Sequence, residues 1–462
     1  MSSRPAAGGT VRAVGRGLAV TAVLLCAVTL IFAYLNKARC AGAPFTADGR
    51  SLLFDRFKDS EVCYSDIQFL WLGRDINMHV FPYVNGDITP DGTLIGGAVE
   101  YPVLSGLLMW LGAAGADNDA DFLLHSALLL APFALLIAWM LGRLSGSAAF
   151  LWAVGPPLVL YAFHNWELPV VCTAVGAVYV LATLTRYSLR TRGIIAAVLL
   201  GIGFCLKLYP GIFVLPLLAY VLTGGEEFDG PGDGRGRRYD LGSAAAVVLA
   251  AVTTVVLINL PFALAGYHGW RASITFQQMR QADITTNSIW YWGVRPMFGD
   301  LPGSEQSFQE VVSAASPALI LVSFVLAMWL GWRRFRTTGV FPWVGVSGAM
   351  LCGFLLFHKV HSPQYTLWLL PFMILLDVPW TAIGLYLLAD LAIGIGVFRY
   401  FHSLGTTGEA DVEQNVVLFG VWGRAILLVF FFFAFIRARP RHGEPEPPAV
   451  GRPASELVAV GH

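Results

Sequence analysis

Charge is what this chain has least of. Only 13% of its 462 residues are Asp, Glu, Lys or Arg, about half the share in a soluble chain. Lys+Arg and Asp+Glu both number 30, so the formal net charge is zero. No basic domain or arginine-rich arm points to nucleic acid. The six cysteines form no CxxC and no Cys/His metal spacing. Internal repeats of the kind that mark many secondary transporters are missing, and so is a P-loop.

Apolar sequence fills the space. The chain is 56% hydrophobic with a mean hydropathy of +0.64. Apolar runs of about twenty residues recur between short polar or arginine-bearing segments, the pattern of an all-α polytopic membrane protein. Twelve spans are expected, at 18–35, 122–141, 148–163, 168–184, 193–206, 211–222, 241–258, 311–332, 340–357, 365–376, 381–397 and 416–436. The first run follows a short basic segment, 1–17, and is long for a signal peptide, so it reads as a retained helix. Arginines gather on one side, Arg4, Arg12, Arg16, Arg143, Arg186, Arg333 and Arg437 among them. That side is expected to be cytoplasmic, with both termini on it.

Two long loops then face outward, 36–121 and 259–310. Within the first, 103–115 is too short to span and reads as an interfacial helix anchored by Trp110. A Gly-rich linker, 224–240, and a Pro-rich tail, 437–462, are expected to be flexible and disordered respectively. Cys40 and Cys63 share the first loop. If it lies outside the cell they can form a disulfide or stay as two thiols. Cys26, Cys172, Cys205 and Cys352 fall in apolar spans as small packing residues.

Ionisable groups at a membrane edge are costly to place, which makes them functional candidates. Asp66, just beyond the first helix, is a candidate base; alternatively Ser65 or Asp66 caps a short helix. On a helix Asp66, Leu70 and Gly73 share a face and Asp75 lies opposite. Glu100-Tyr101-Pro102 opens the interfacial helix, either as an acid set against the helix dipole or as a holder of an acceptor hydroxyl. Lys207 either snorkels to the interface or binds phosphate, with Tyr209-Pro210 breaking the helix beside it. In FHKVHSPQY, His358 and His361 can share a helix face with Lys359 between them, either as a phosphate-binding patch or as a solvated turn. Two histidines are too few for a metal. Around Arg271, Arg280 and Arg295 the rings of Trp270, Phe276, Trp290, Tyr291 and Trp292 suit carbohydrate faces or an interfacial belt.

Taken together, these features resemble the GT-C superfamily of integral-membrane glycosyltransferases, and within it the polyprenyl-phosphate-mannose-dependent enzymes of glycosyltransferase family 87. The matching residues are Asp66 with Phe69 and Pro82-Tyr83, then Glu100-Tyr101-Pro102, Lys207-Leu208-Tyr209-Pro210 and His361-Ser362-Pro363-Gln364-Tyr365, across 18–436. The resemblance implies an inverting hexosyltransferase in the plasma membrane, its active site facing outward. A sugar, expected to be mannose, would pass from a polyprenyl phosphate to a cell-envelope glycolipid or glycan. Asp66 would be the base and Lys207, Tyr209, His358, Lys359 and His361 the phosphate ligands. Glu100, Tyr101, Gln364 and Tyr365 would hold acceptor or sugar. The partners are the lipid donor, the acceptor and the bilayer. No cofactor and no metal site is expected. Polyprenyl-phosphate arabinofuranose is the alternative donor, and a lipid-linked-sugar flippase, using Asp390 and Arg424, the alternative class. A non-enzymatic scaffold ranks last.

Overall fold

The computed structural model describes residues 16–225 and 239–441. Nearly all of the expected N-terminal segment, most of the linker and most of the tail lie outside them. Within them the chain is mostly helical. Seven helical stretches are long and apolar enough to cross a bilayer: Arg16–Ala38, Asp119–Val154, Leu189–Leu206, Leu241–Ala265, Ser304–Thr338, Trp380–Thr407 and Asp411–Arg437. The chain is a multi-pass membrane protein.

The other five expected spans fall on shorter pieces. The expected span 148–163 is broken at Gly155 into Phe150–Val154 and Pro156–Tyr161. Pro156 and Pro157 supply no N–H, so the helix cannot run through them. Past Gly146 the chain turns back along the Asp119–Ser145 helix, since the Trp152 indole donates to the Ala134 carbonyl at 3.2 Å. Glu167–Thr183, Tyr209–Leu222 and Trp343–Phe357 have 17 residues or fewer, and Thr366–Leu375 has ten. Ten residues rise only about 15 Å, half the hydrocarbon thickness. The helix inside the first loop, Val103–Gly112, is equally short.

Local chemistry explains where the long helices begin and stop. Asn118 caps the Asp119 helix by accepting from the backbone of Ala120 and Asp121, with two acids in the first turn facing the dipole. The acidic run after the expected interfacial helix is therefore a helix start. Its helix ends at Gly146, whose φ is +58°, and Gly142 one turn earlier lies directly against Ala19 of the first helix. The all-α expectation misses one feature, a small antiparallel hairpin of Asp87–Ile88 with Leu94–Ile95. Its Thr-Pro-Asp-Gly turn needs positive φ at Gly92, found at +88°.

The second expected loop starts later than its composition implies. The Leu241 helix continues through Pro261 to Ala265, and an amphipathic helix, Tyr267–Met279, follows at once. That helix packs on the first loop, where Gly269 meets the Tyr83 carbonyl so closely that a side chain has no room.

Candidate active site

The turn Phe163–Glu167 organises the polar interior of the protein. Ser65 donates its hydroxyl to the Phe163 carbonyl at 2.8 Å, and the Asp66 amide donates to the His164 carbonyl at 2.8 Å. Ser65 also caps the Asp66–Gly73 helix by accepting from Ile67 N. Capping therefore falls to Ser65, and the Asp66 carboxylate is left to other partners. The Tyr64 hydroxyl donates to Oδ1 at 2.9 Å and Asn165 Nδ2 to Oδ2 at 2.6 Å. Asn165 Nδ2 also reaches the Tyr101 hydroxyl at 2.7 Å.

Each carboxylate oxygen thus has one neutral donor. Burial pushes the Asp66 pKa above the usual carboxylate range, and the bonds from Asn165 and Tyr64 and the charges of Lys207 and Arg280 oppose the rise. A buried carboxylate with a raised pKa and a neutral donor on each oxygen has the surroundings a general base requires. Asp75 points elsewhere and accepts from Gly97 N at 3.3 Å.

Tyr64 is itself fixed. Its carbonyl accepts from the buried Lys37 ammonium at 2.8 Å, and its ring lies among Phe54, Phe69, His164 and Phe398 at 5.4–5.9 Å. Cys40 and Cys63 are bonded, with Cα atoms 6.1 Å apart, tying the end of the first helix to the residue before Tyr64. The other four cysteines are free and buried.

Lys207 does not snorkel. Its ammonium bonds the carboxylate of Glu167, which is fully buried and accepts from the Trp368 indole through its other oxygen. The ammonium also lies 4.8 Å over the Tyr101 ring. Trp368 is stacked between Tyr365 at 3.8 Å and Tyr209 at 4.2 Å. Asp66, Tyr101, Lys207, Tyr209 and Tyr365 therefore form one continuous cluster, joined by Asn165, Glu167 and Trp368. Ser105, in the helix after Glu100-Tyr101-Pro102, holds the Leu206 carbonyl next to Lys207 at 2.6 Å.

Other candidates lie differently. Glu100 faces away and grips Arg74 through both oxygens, at 2.6 and 3.3 Å. Residues 358–362 are not helical, so the two histidines share no helix face, because the helix ends at Phe357. His358 folds onto the Val360 backbone and Phe354. Burial drives the pKa of His358 down to about 4 and that of His361 well below its usual value. Both rings are neutral and bring no positive charge. His361 packs beside Tyr365, and its amide donates to Thr286 O at 2.7 Å. Gln364 is buried behind them, and Lys359 is half-buried. The loop tryptophans pack inward: Trp290 and Trp292 are buried, and Trp290 donates to Phe357 O at 2.7 Å. Among the described residues no group of three His, Cys, Asp or Glu is arranged to hold a metal.

A family model for glycosyltransferase family 87 matches residues 100–358, more than half of the chain. The chain belongs to glycosyltransferase family 87. No curated protein matches it. The match starts at Glu100 and so leaves out Asp66, yet this glycosyltransferase holds Asp66 through His164 and Asn165, which lie well inside the matched stretch. Sequence reading passed over Asn165 and Glu167. Their one signal was an amide and an acid, two residues apart, in a short turn between apolar runs.

Proposed function

We propose that this family 87 glycosyltransferase moves a sugar, mannose, from a polyprenyl phosphate to a hydroxyl of a cell-envelope glycolipid or glycan, with inversion, at the outer face of the plasma membrane. Asp66 is the base. Its carboxylate takes the proton of the acceptor hydroxyl as that oxygen attacks the anomeric carbon. The bond from that carbon to the phosphate oxygen breaks, and its electron pair leaves with the lipid phosphate. One displacement from the face opposite the leaving group inverts the centre.

The observation that carries this reading is the mounting of Asp66. It sits at the end of a helix outside the long apolar stretches, oriented by one neutral donor on each oxygen and raised in pKa by burial. The arginine pattern supports an outward-facing site, and the apolar surroundings suit a donor that lives in the bilayer.

Membranes carrying the protein and supplied with labelled polyprenyl-phosphate mannose should transfer label. Asp66→Asn should lower transfer by at least about a hundredfold, the contribution expected of a general base, while the protein still accumulates in the membrane. Full transfer by that variant would overturn the assignment of the base. Label moving only from polyprenyl-phosphate arabinofuranose would reassign the donor, and flipping in proteoliposomes without covalent transfer would make the protein a transporter.

A further inference from the structure

We infer that Arg280, together with Lys359, holds the phosphate of the lipid donor and of the departing lipid; this rests on the reading of the donor given above. A phosphate leaving a sugar gains negative charge as the bond breaks, and cations placed where that charge develops lower the barrier. Such cations must not already be neutralised. Lys207 is paired with Glu167, Arg74 with Glu100, and Arg50 with Asp119 at 3.2 Å. His358 and His361 are uncharged.

Arg280 differs from these. It is half-buried, and its guanidinium has no hydrogen bond or ion pair among the described residues. Its charge is felt at Asp66, Tyr365, His358 and Lys359. Lys359 Nζ reaches the Gln278 carbonyl, two residues before Arg280, at 3.4 Å. Among the described residues no carboxylate pairs with Lys359 either. Among the described residues neither cation is ion-paired, Arg280 lowers the Lys359 pKa, and a bound anion would relieve the repulsion between them. Arginine also presents its donors as a planar fork that matches two phosphate oxygens.

The backbone around Arg280 is held on both sides, so its position is set before any ligand binds. Before it, Gln277 donates to Glu100 O at 2.7 Å and Gly269 is docked on Tyr83. After it, Gln309 bonds both the amide and the carbonyl of Ala282, at 3.1 and 2.8 Å, and Thr286 O takes the His361 amide. Only the side chain is left uncommitted.

The test uses the full-length protein and a short prenyl monophosphate, an analogue of the released lipid, as inhibitor. In the wild type it should compete with the donor and bind more tightly as pH rises through its second ionisation, near pH 6. Arg280→Ala should raise its Ki about tenfold, the loss of one charge-assisted hydrogen bond. That variant should also flatten the dependence on pH and leave the acceptor KM and the melting temperature unchanged. Arg280→Lys should recover part of the affinity, and Lys359→Ala should lose affinity as Arg280→Ala does. Competition in the wild type with unchanged Ki and pH dependence in Arg280→Ala would overturn the role of Arg280 alone. No competition in the wild type would overturn the donor reading and this inference with it.

Discussion

As the proposed base, Asp66 depends on what Tyr64 and Asn165 do to it. Burial raises its pKa, and the two donors limit the rise by stabilising the anion. Tyr64→Phe removes one donor, so the pKa must rise further. A base must be unprotonated to work; the acid limb of kcat/KM against pH should therefore move to higher pH, with the alkaline side unchanged. A pH profile in labelled-transfer assays checks this, and an unmoved limb would show that Tyr64 does not act on the base. The sequence displayed Asp66 as a membrane-edge acid but left open whether it or Ser65 was the cap. Only the backbone settles such a question, because both residues suit either position. The two histidines were misleading for a related reason. A phosphate-binding role would need them protonated, whereas their burial lowers both pKa values.

Among the elements, the long apolar helices were legible because hydropathy over twenty residues needs no partner to be read. The short ones were not. Pro156, Pro210 and Pro363 stand at or next to the start of short segments; before the last two, Ser105 takes the Leu206 carbonyl and Thr286 the His361 amide, and no local pattern reports such a neighbour. Lys207 and Glu167 illustrate the point. They lie forty residues apart and join the ends of two helices. Removing one partner leaves a buried charge alone. Lys207→Met should cost about 3–5 kcal/mol, and adding Glu167→Gln should restore most of it. Thermal melting of the purified protein checks both, and equal melting of the single and double variants would show that the pair is not a unit. If Lys207 were mainly a phosphate ligand, the double variant would regain stability without activity.

For the molecule as a whole, the family match and the candidate base lie in different parts of the chain. The matched stretch supplies Asn165, Glu167, Lys207 and Arg280; the base comes before it, and Tyr365 and Trp368 come after it. The two outer parts are brought onto the matched one by packing, with the disulfide bracing the first. Replacing Cys40 and Cys63 by serine opens a constraint across 23 residues and should cost about 2–4 kcal/mol. Turnover should fall with it, since Tyr64 adjoins Cys63. Melting and transfer measured with and without reductant check this, and full activity under reduction would show that the bond braces nothing the reaction uses. A bond of this kind forms where oxidant is present and not in a reducing cytosol. In the outward-facing arrangement proposed above, the bond that braces the residue beside Asp66 closes only once the first loop has crossed the membrane, so the crossing itself would complete the site.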